Sequence, residues 1–262
     1  MESIRIAAAT QGLALSLHDA IALASVAGAE GVQLDLRSEV SPDEFGESAC
    51  RHLLHLLGER GMRVASATFP LRRALHDAVQ IDGRVAAVKE GMRLASQLKS
   101  RVLTLRIGRL PANDDRAGRD RLQDALEDLA RLGSKIGVAV ALTTAGDDPD
   151  ALLELLKGVQ EGPIGVDLDP ASCIAAGQDP SQVLNVLHAA TIHVQARDAV
   201  RDVESGGLEV ALGRGETRWD ELLAMLGDAR FAGWLTVRRT TGHDRGGDLV
   251  RAVAYLRQTA LG

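Results

Sequence analysis

Short apolar runs alternate along the chain with segments in which apolar residues recur every three or four positions. The runs Ile4–Thr10, Val32–Leu36, Val64–Phe69, Val102–Ile107, Val138–Leu142, Ile164–Leu168, Thr191–Ala196 and Trp234–Val237 read as strands. Each is followed by a helical pattern, the last ending the chain at about Asp248–Gln258. Punctuation supports the helices. Ser41-Pro-Asp-Glu44 places a cap, a proline and an acid at a helix start, and Asp148-Pro149 and Asp179-Pro180 repeat the cap-then-proline signal. Ser16-Leu-His-Asp19 and Thr217-Arg-Trp-Asp220 resemble capping boxes. Eight βα units in 262 residues, without a Pro/Gly/Ser-rich linker, predict an α/β chain forming a single (β/α)8 TIM-barrel domain over 1–262. No strand is followed by G-x-G-x-x-G or a P-loop, which disfavours a doubly wound sheet.

In a barrel the outward residues of each strand pack on helices, so the apolar member of each alternation points out and the remainder points in. The rule places Gln33, Asp35 and Arg37 inside from the second strand, Val102, Thr104 and Arg106 from the fourth, and Ala139, Ala141 and Thr143 from the fifth. Asp167 and Asp169 point in from the sixth, His193, Gln195 and Arg197 from the seventh, and Thr236 and Arg238 from the eighth. The C-terminal strand ends, where barrels carry their active sites, therefore collect Arg37, Arg106, Thr143, Asp169, Gln195, Arg197 and Arg238. Such a cluster is either a binding site or a self-satisfied ionic network, since buried charge persists only when paired.

Composition narrows the ligand. A net charge of −6 and 2% aromatic residues disfavour a nucleic-acid partner, and no span has the length of a membrane helix. A soluble cytoplasmic protein is expected. Cys50 and Cys173 are too few and too far apart for a disulfide framework or a zinc knuckle. Arg72, Arg73, Arg106, Arg109, Arg197, Arg214 and Arg238 all lie on or just after C-terminal strand ends, a bias that points to an anionic small molecule. All but four of the 30 basic residues are arginine, so the bias is read against a rich background. Gly213-Arg-Gly215, before a capped helix, offers backbone N–H groups for a phosphate or carboxylate. His76, His193 and His243 are the histidines nearest the mouth. His193 is expected in the core and His243 on the loop after the last strand, within reach of a ligand.

The motifs "AGAEGVQLDLR", "GVDLDPAS", "IHVQARDA", "LGRGETRWDELLAML" and "GWLTVRR" resemble, in order and spacing, the sugar phosphate isomerase/epimerase family of xylose isomerase-like TIM barrels. The resemblance implies a divalent metal held by Glu, Asp, His and Glu at the ends of strands 5 to 8, with the glutamates moving the proton of an isomerisation or epimerisation. This chain has Thr143, Asp169, Gln195 and Arg238 there, and Ser172 where a further His often stands. One carboxylate, an amide and a hydroxyl are a poor donor set for Mn²⁺, Mg²⁺ or Zn²⁺. No metal and no other cofactor is expected. Arg238 is expected either to pair with Asp169 and replace the cation, or to turn to solvent in a site that has drifted and lost its chemistry. Asp198 matches an acid that in the family more often holds a loop. Two readings stay open. One is a metal-independent enzyme on a carbohydrate-like anion, with Arg238, Asp169 and His243 in the chemistry and Arg72, Arg106, Arg109, Thr143, Gln195, Arg197, Asp198 and Arg214 around the substrate. The other is a non-catalytic protein that keeps only the barrel.

Overall fold

Trp234 to Val237 of the last barrel strand pair with His193 to Ala196 on one side and Arg5 to Ala8 on the other, so the final strand joins the first and closes the sheet. The computed structural model describes residues 4–202 and 206–261. In chain order the elements are β1 (Arg5–Ala9), α1 (Leu17–Val26), β2 (Gly31–Asp35), α2 (Glu47–Gly58), β3 (Arg63–Thr68) and α3 (Ile81–Gln97). Next come β4 (Val102–Leu105), α4 (Arg116–Ile136), β5 (Ala139–Thr143), α5 (Pro149–Gly158), β6 (Ile164–Leu168), α6 (Pro170–Ala175) and α7 (Pro180–Leu187). The chain ends with β7 (Thr191–Ala196), β8 (Asp198–Val200), β9 (Leu208–Val210), α8 (Trp219–Asp228), β10 (Trp234–Val237) and α9 (Arg245–Leu261). Strands β1 to β7 and β10 form a closed parallel barrel, as the eight apolar runs predict.

Alternation explains the layers. Val32, Leu34, Leu103, Leu105, Val166, Leu168, Val194 and Leu235 are buried in one large core with α-helical residues such as Leu57, Met92, Leu126, Leu222 and Leu256. A separate small cluster of Ala7, Ala65 and Trp234 is also buried, and Arg5 lies over the Trp234 ring at 4.9 Å.

Three elements depart from the sequence expectation. Ser41 to Phe45 forms a turn, in which Glu44 and Phe45 donate to the Ser41 carbonyl, and α2 begins at Glu47. Arg218 rather than Thr217 occupies the cap of α8. The stretch after β7, outside the eight apolar runs read as strands, carries an antiparallel hairpin, β8 with β9. Ser16, Asp148 and Asp179 cap α1, α5 and α7 with their side chains as anticipated. Cys50 and Cys173 are free and buried; burial pushes the Cys173 thiol up to about 12.

Candidate functional site

The inward residues meet in two tiers. In the lower one, Asp167 accepts from the Thr143 hydroxyl at 2.8 Å and the Gln195 amide at 3.1 Å, and its other oxygen lies 2.6 Å from His193 Nδ1. With the Nδ1 proton directed at that carboxylate, the single Nε2 lone pair faces two hydroxyls, Ser66 Oγ at 3.0 Å and Thr236 Oγ1 at 2.8 Å. Gln33 donates to Ser66 at 2.9 Å. Ser66, His193 and Asp167 have the connectivity of a hydrolase triad, but all three are 0% exposed. They form a satisfied polar plug, the core role expected of His193.

The upper tier is built on Asp169, which follows β6 and caps α6. Its Oδ2 accepts from Arg197 at 2.7 Å, Arg106 at 3.1 Å and the Ser172 hydroxyl at 2.7 Å. Burial pushes its pKa up, but the Arg197 and Arg106 guanidiniums and the Ser172 hydrogen bonds outweigh this and hold the carboxyl below the ordinary value. Arg197 also reaches Glu209 of the hairpin at 3.2 Å, and Glu209 is held in turn by Arg239 and Thr240 from the loop after β10. This chain of charges pins the hairpin over the barrel.

The expected Arg238–Asp169 pair is therefore corrected. Arg106 from the end of β4 and Arg197 from the end of β7 reach Asp169 instead. Arg238 donates to the Gln11 side chain at 3.1 Å and has no ion pair among the described residues. Burial and the like charge of Arg197 lower its pKa, against the attraction of Asp169, Asp167 and Asp35. Its Nε, together with Arg197 Nε and the Gln195 side-chain oxygen, is buried without a hydrogen-bond partner. Three such atoms at the ends of two neighbouring strands, β7 and β10, are unusual, because buried polar groups are nearly always bonded.

Other expected residues are placed elsewhere. Thr143 and Gln195 donate downward to Asp167. The amides of Gly213 and Gly215 are already bonded to Asp198 Oδ2 at 3.0 and 3.1 Å, and Ala199 and Thr217 donate to Oδ1, so this turn cradles the protein's own carboxylate. Arg109 donates to the Gly146 carbonyl, while Arg72, Arg214 and His243 are exposed; none of the four bonds to Asp169 or Arg238. His76 Nδ1 is buried without a partner, and burial lowers the pKa of its ring.

Two contributors were missed by the sequence reading. Gln11 lies beyond the end of β1, where the same alternation, continued past Ala7 and Ala9, points it inward. Glu39, in the loop after β2, accepts from Thr10 Oγ1 and the Asp35 amide, both at 2.8 Å. Burial and the neighbouring Asp35 charge raise its pKa, opposed by those hydrogen bonds and by Arg238, and the net shift is upward. A loop acid carries no periodic signal.

A model of the xylose isomerase-like TIM barrel family matches residues 21–259. The chain belongs to that family. Among solved structures, the family member is similar to a xylose isomerase domain protein from Planctomyces limnophilus, with 23% identity, 98% of this chain and 96% of that one covered, and a TM-score of 0.85. It is also similar to an L-ribulose 3-epimerase, with 14% identity, 99% and 95% covered and a TM-score of 0.79. A third is a xylose isomerase-like TIM barrel protein from Mycobacterium smegmatis in complex with magnesium, with 15% identity, 98% and 97% covered and a TM-score of 0.79. No curated protein matches the sequence. Four strand-end residues stand where the family resemblance places metal ligands. Of Thr143, Asp169, Gln195 and Arg238, only Asp169 is a carboxylate, and two guanidiniums already hold it. Among the described residues no group of three His, Cys, Asp or Glu side chains is placed to hold a metal ion. The donor set does not fit a divalent cation.

Proposed function

We propose that this barrel binds a small anionic carbohydrate, a sugar phosphate or sugar acid, at its C-terminal mouth, and that any proton transfer there proceeds without the family's metal. The observation that carries the reading is Arg238. A partly buried guanidinium stands in the strand-end position that resembles a metal-ligand site, it has no carboxylate partner among the described residues, and its Nε is unbonded. Planar guanidinium groups suit carboxylate and phosphate oxygens. Arg72 and Arg109, exposed after β3 and β4, add positive charge around the rim. The carbohydrate part of the reading is supported by epimerases among the structures it resembles.

The neutralisation of Asp169 by Arg106 and Arg197 favours a second reading, binding without turnover, because the one acid retained from the family pattern is committed to structure.

Thermal melts with phosphate, ribulose 5-phosphate and 6-phosphogluconate test the site. A ligand that binds only the folded state raises the melting temperature, by about 2–4 °C for each kcal/mol in a protein of this size. We expect such a rise in wild type and its loss in Arg238→Gln, with no response of wild type to EDTA or Mn²⁺. No shift with any of the three anions, or a rise with Mn²⁺ reversed by EDTA, overturns the reading.

A further inference from the structure

We infer that Glu39 and Arg238 form a metal-free proton-transfer pair at the mouth, with Glu39 as the base and Arg238 as the holder of the substrate oxyanion. The inference rests on the anionic-carbohydrate reading of that mouth and extends it to a reaction. Neither residue's role comes from the family ligand set: Glu39 lies on the loop after β2, and Arg238 stands where that set has an acid.

The geometry is that of a positioned base. Glu39 Oε2 is fixed by the Thr10 hydroxyl and the Asp35 amide at 2.8 Å each, while Oε1 makes no hydrogen bond within the described residues. Thr10 follows β1, which lies in the barrel between β2, whose loop carries Glu39, and β10, whose end carries Arg238. Thr10 itself is fixed by donating to the Gln33 carbonyl at 3.0 Å, and Gln11 next to it receives the Arg238 guanidinium. The carboxylate and the guanidinium are thus set on either side of one strand end. Thr10 holds Glu39 and the adjacent Gln11 holds Arg238, and no ion pair among the described residues consumes either charge. The charged groups acting on Glu39 are Asp35 and Arg238. Burial raises the Glu39 pKa and Asp35 adds to the rise, while the two hydrogen bonds and Arg238 oppose it. The net is a carboxyl above its ordinary value, the direction that favours a general base near neutral pH.

The step balances without a redox partner. The free Glu39 oxygen takes the proton from a carbon beside the substrate carbonyl, and the C–H electron pair becomes a C=C bond. The carbonyl π pair moves onto its oxygen, which the Arg238 N–H groups hold. Return of the proton to the same carbon regenerates the substrate. Return to the neighbouring carbon, with the hydroxyl proton passing between the two oxygens, gives the 1,2-isomer.

The experiment is proton exchange in D₂O, followed by NMR, with ribulose 5-phosphate and fructose 6-phosphate as probes, beside melts with the same compounds. We expect deuterium at the carbon next to the carbonyl with wild type, at a rate rising with pH through an inflection above the usual glutamate value of about 4.3. Glu39→Gln, which keeps the acceptor for Thr10 and Asp35, is expected to retain the melting shift and lose about 100-fold or more of the exchange rate. Exchange that persists in Glu39→Gln overturns the assignment. Binding without exchange in wild type overturns the proton transfer and leaves the anion site standing, whereas neither binding nor exchange overturns both.

Discussion

Asp169 shows how one residue keeps its place in a family pattern while its surroundings change its work. With Arg106, Arg197 and Ser172 on a single oxygen, it is a structural anchor. Removing its charge leaves Arg197 with Glu209 as its carboxylate and Arg106 to solvent, so Asp169→Asn is expected to cost about 2 kcal/mol at neutral pH through the lost charged hydrogen bonds. The sign of its pH dependence follows from the lowered pKa. A carboxylate depressed in the folded state contributes stability that is present above the unfolded value, about 3.9, and is lost as pH falls through the lower folded value. Melting temperatures of wild type and Asp169→Asn should therefore differ at pH 7 and converge well below pH 4; a gap that stays constant down to pH 2 would remove Asp169 from the acid transition. At this scale the sequence revealed which side chains point inward, because the alternation at Asp167, Asp169, His193 and Gln195 is a backbone property. It did not reveal which cation reaches Asp169. Long arginine side chains from three strand ends compete for one carboxylate, and only tertiary geometry decides among Arg106, Arg197 and Arg238.

The barrel strands and most helices were legible because each carries several turns or alternations of pattern. The hairpin after β7 was not, since its strands Asp198–Val200 and Leu208–Val210 are too short to establish a period of two. What holds that hairpin is chemical rather than periodic. Asp198 accepts from four backbone amides, one of them that of Gly215. A Cβ at Gly215 would lie 2.1 Å from Asp198 Oδ1 and 2.5 Å from the Ala199 carbonyl, so the carboxylate must leave its amides to admit it. Gly215→Ala is expected to destabilise by about 2–3 kcal/mol through overpacking and lost charged hydrogen bonds. Gly83 is the contrast. It lies inside α3, where a Cβ would meet no atom within 4 Å, and Gly83→Ala should stabilise by up to about 1 kcal/mol through helix propensity. Urea unfolding of the two variants reads both signs at once, and a neutral Gly215→Ala would show that the turn is not built on Asp198.

At the scale of the whole molecule, the candidate site exists only when the ring is closed. Asp169, Arg197, Glu39 and Arg238 sit at or after the ends of four different barrel strands, and β1 and β10, from opposite ends of the chain, must pair before Gln11 can receive Arg238. The two tryptophans report on this closure. Trp219 in α8 is 1% exposed, and Trp234 begins β10 at 7% exposed, packed with Ala7 of β1 and Ala65 of β3. Both lie in the last quarter of the sequence, while the helices that dominate far-ultraviolet circular dichroism run through all of it. If β10 and its neighbours could detach while the rest stayed folded, tryptophan fluorescence would change before the helical signal. A parallel barrel missing one strand exposes two unpaired edges, a state with little to stabilise it. We therefore expect fluorescence and circular dichroism to follow one coincident transition in urea, as a single cooperative unit requires. Separate midpoints would mean that the C-terminal strand opens independently. The mouth, and any anion held there by Arg238, would then come apart before the barrel does.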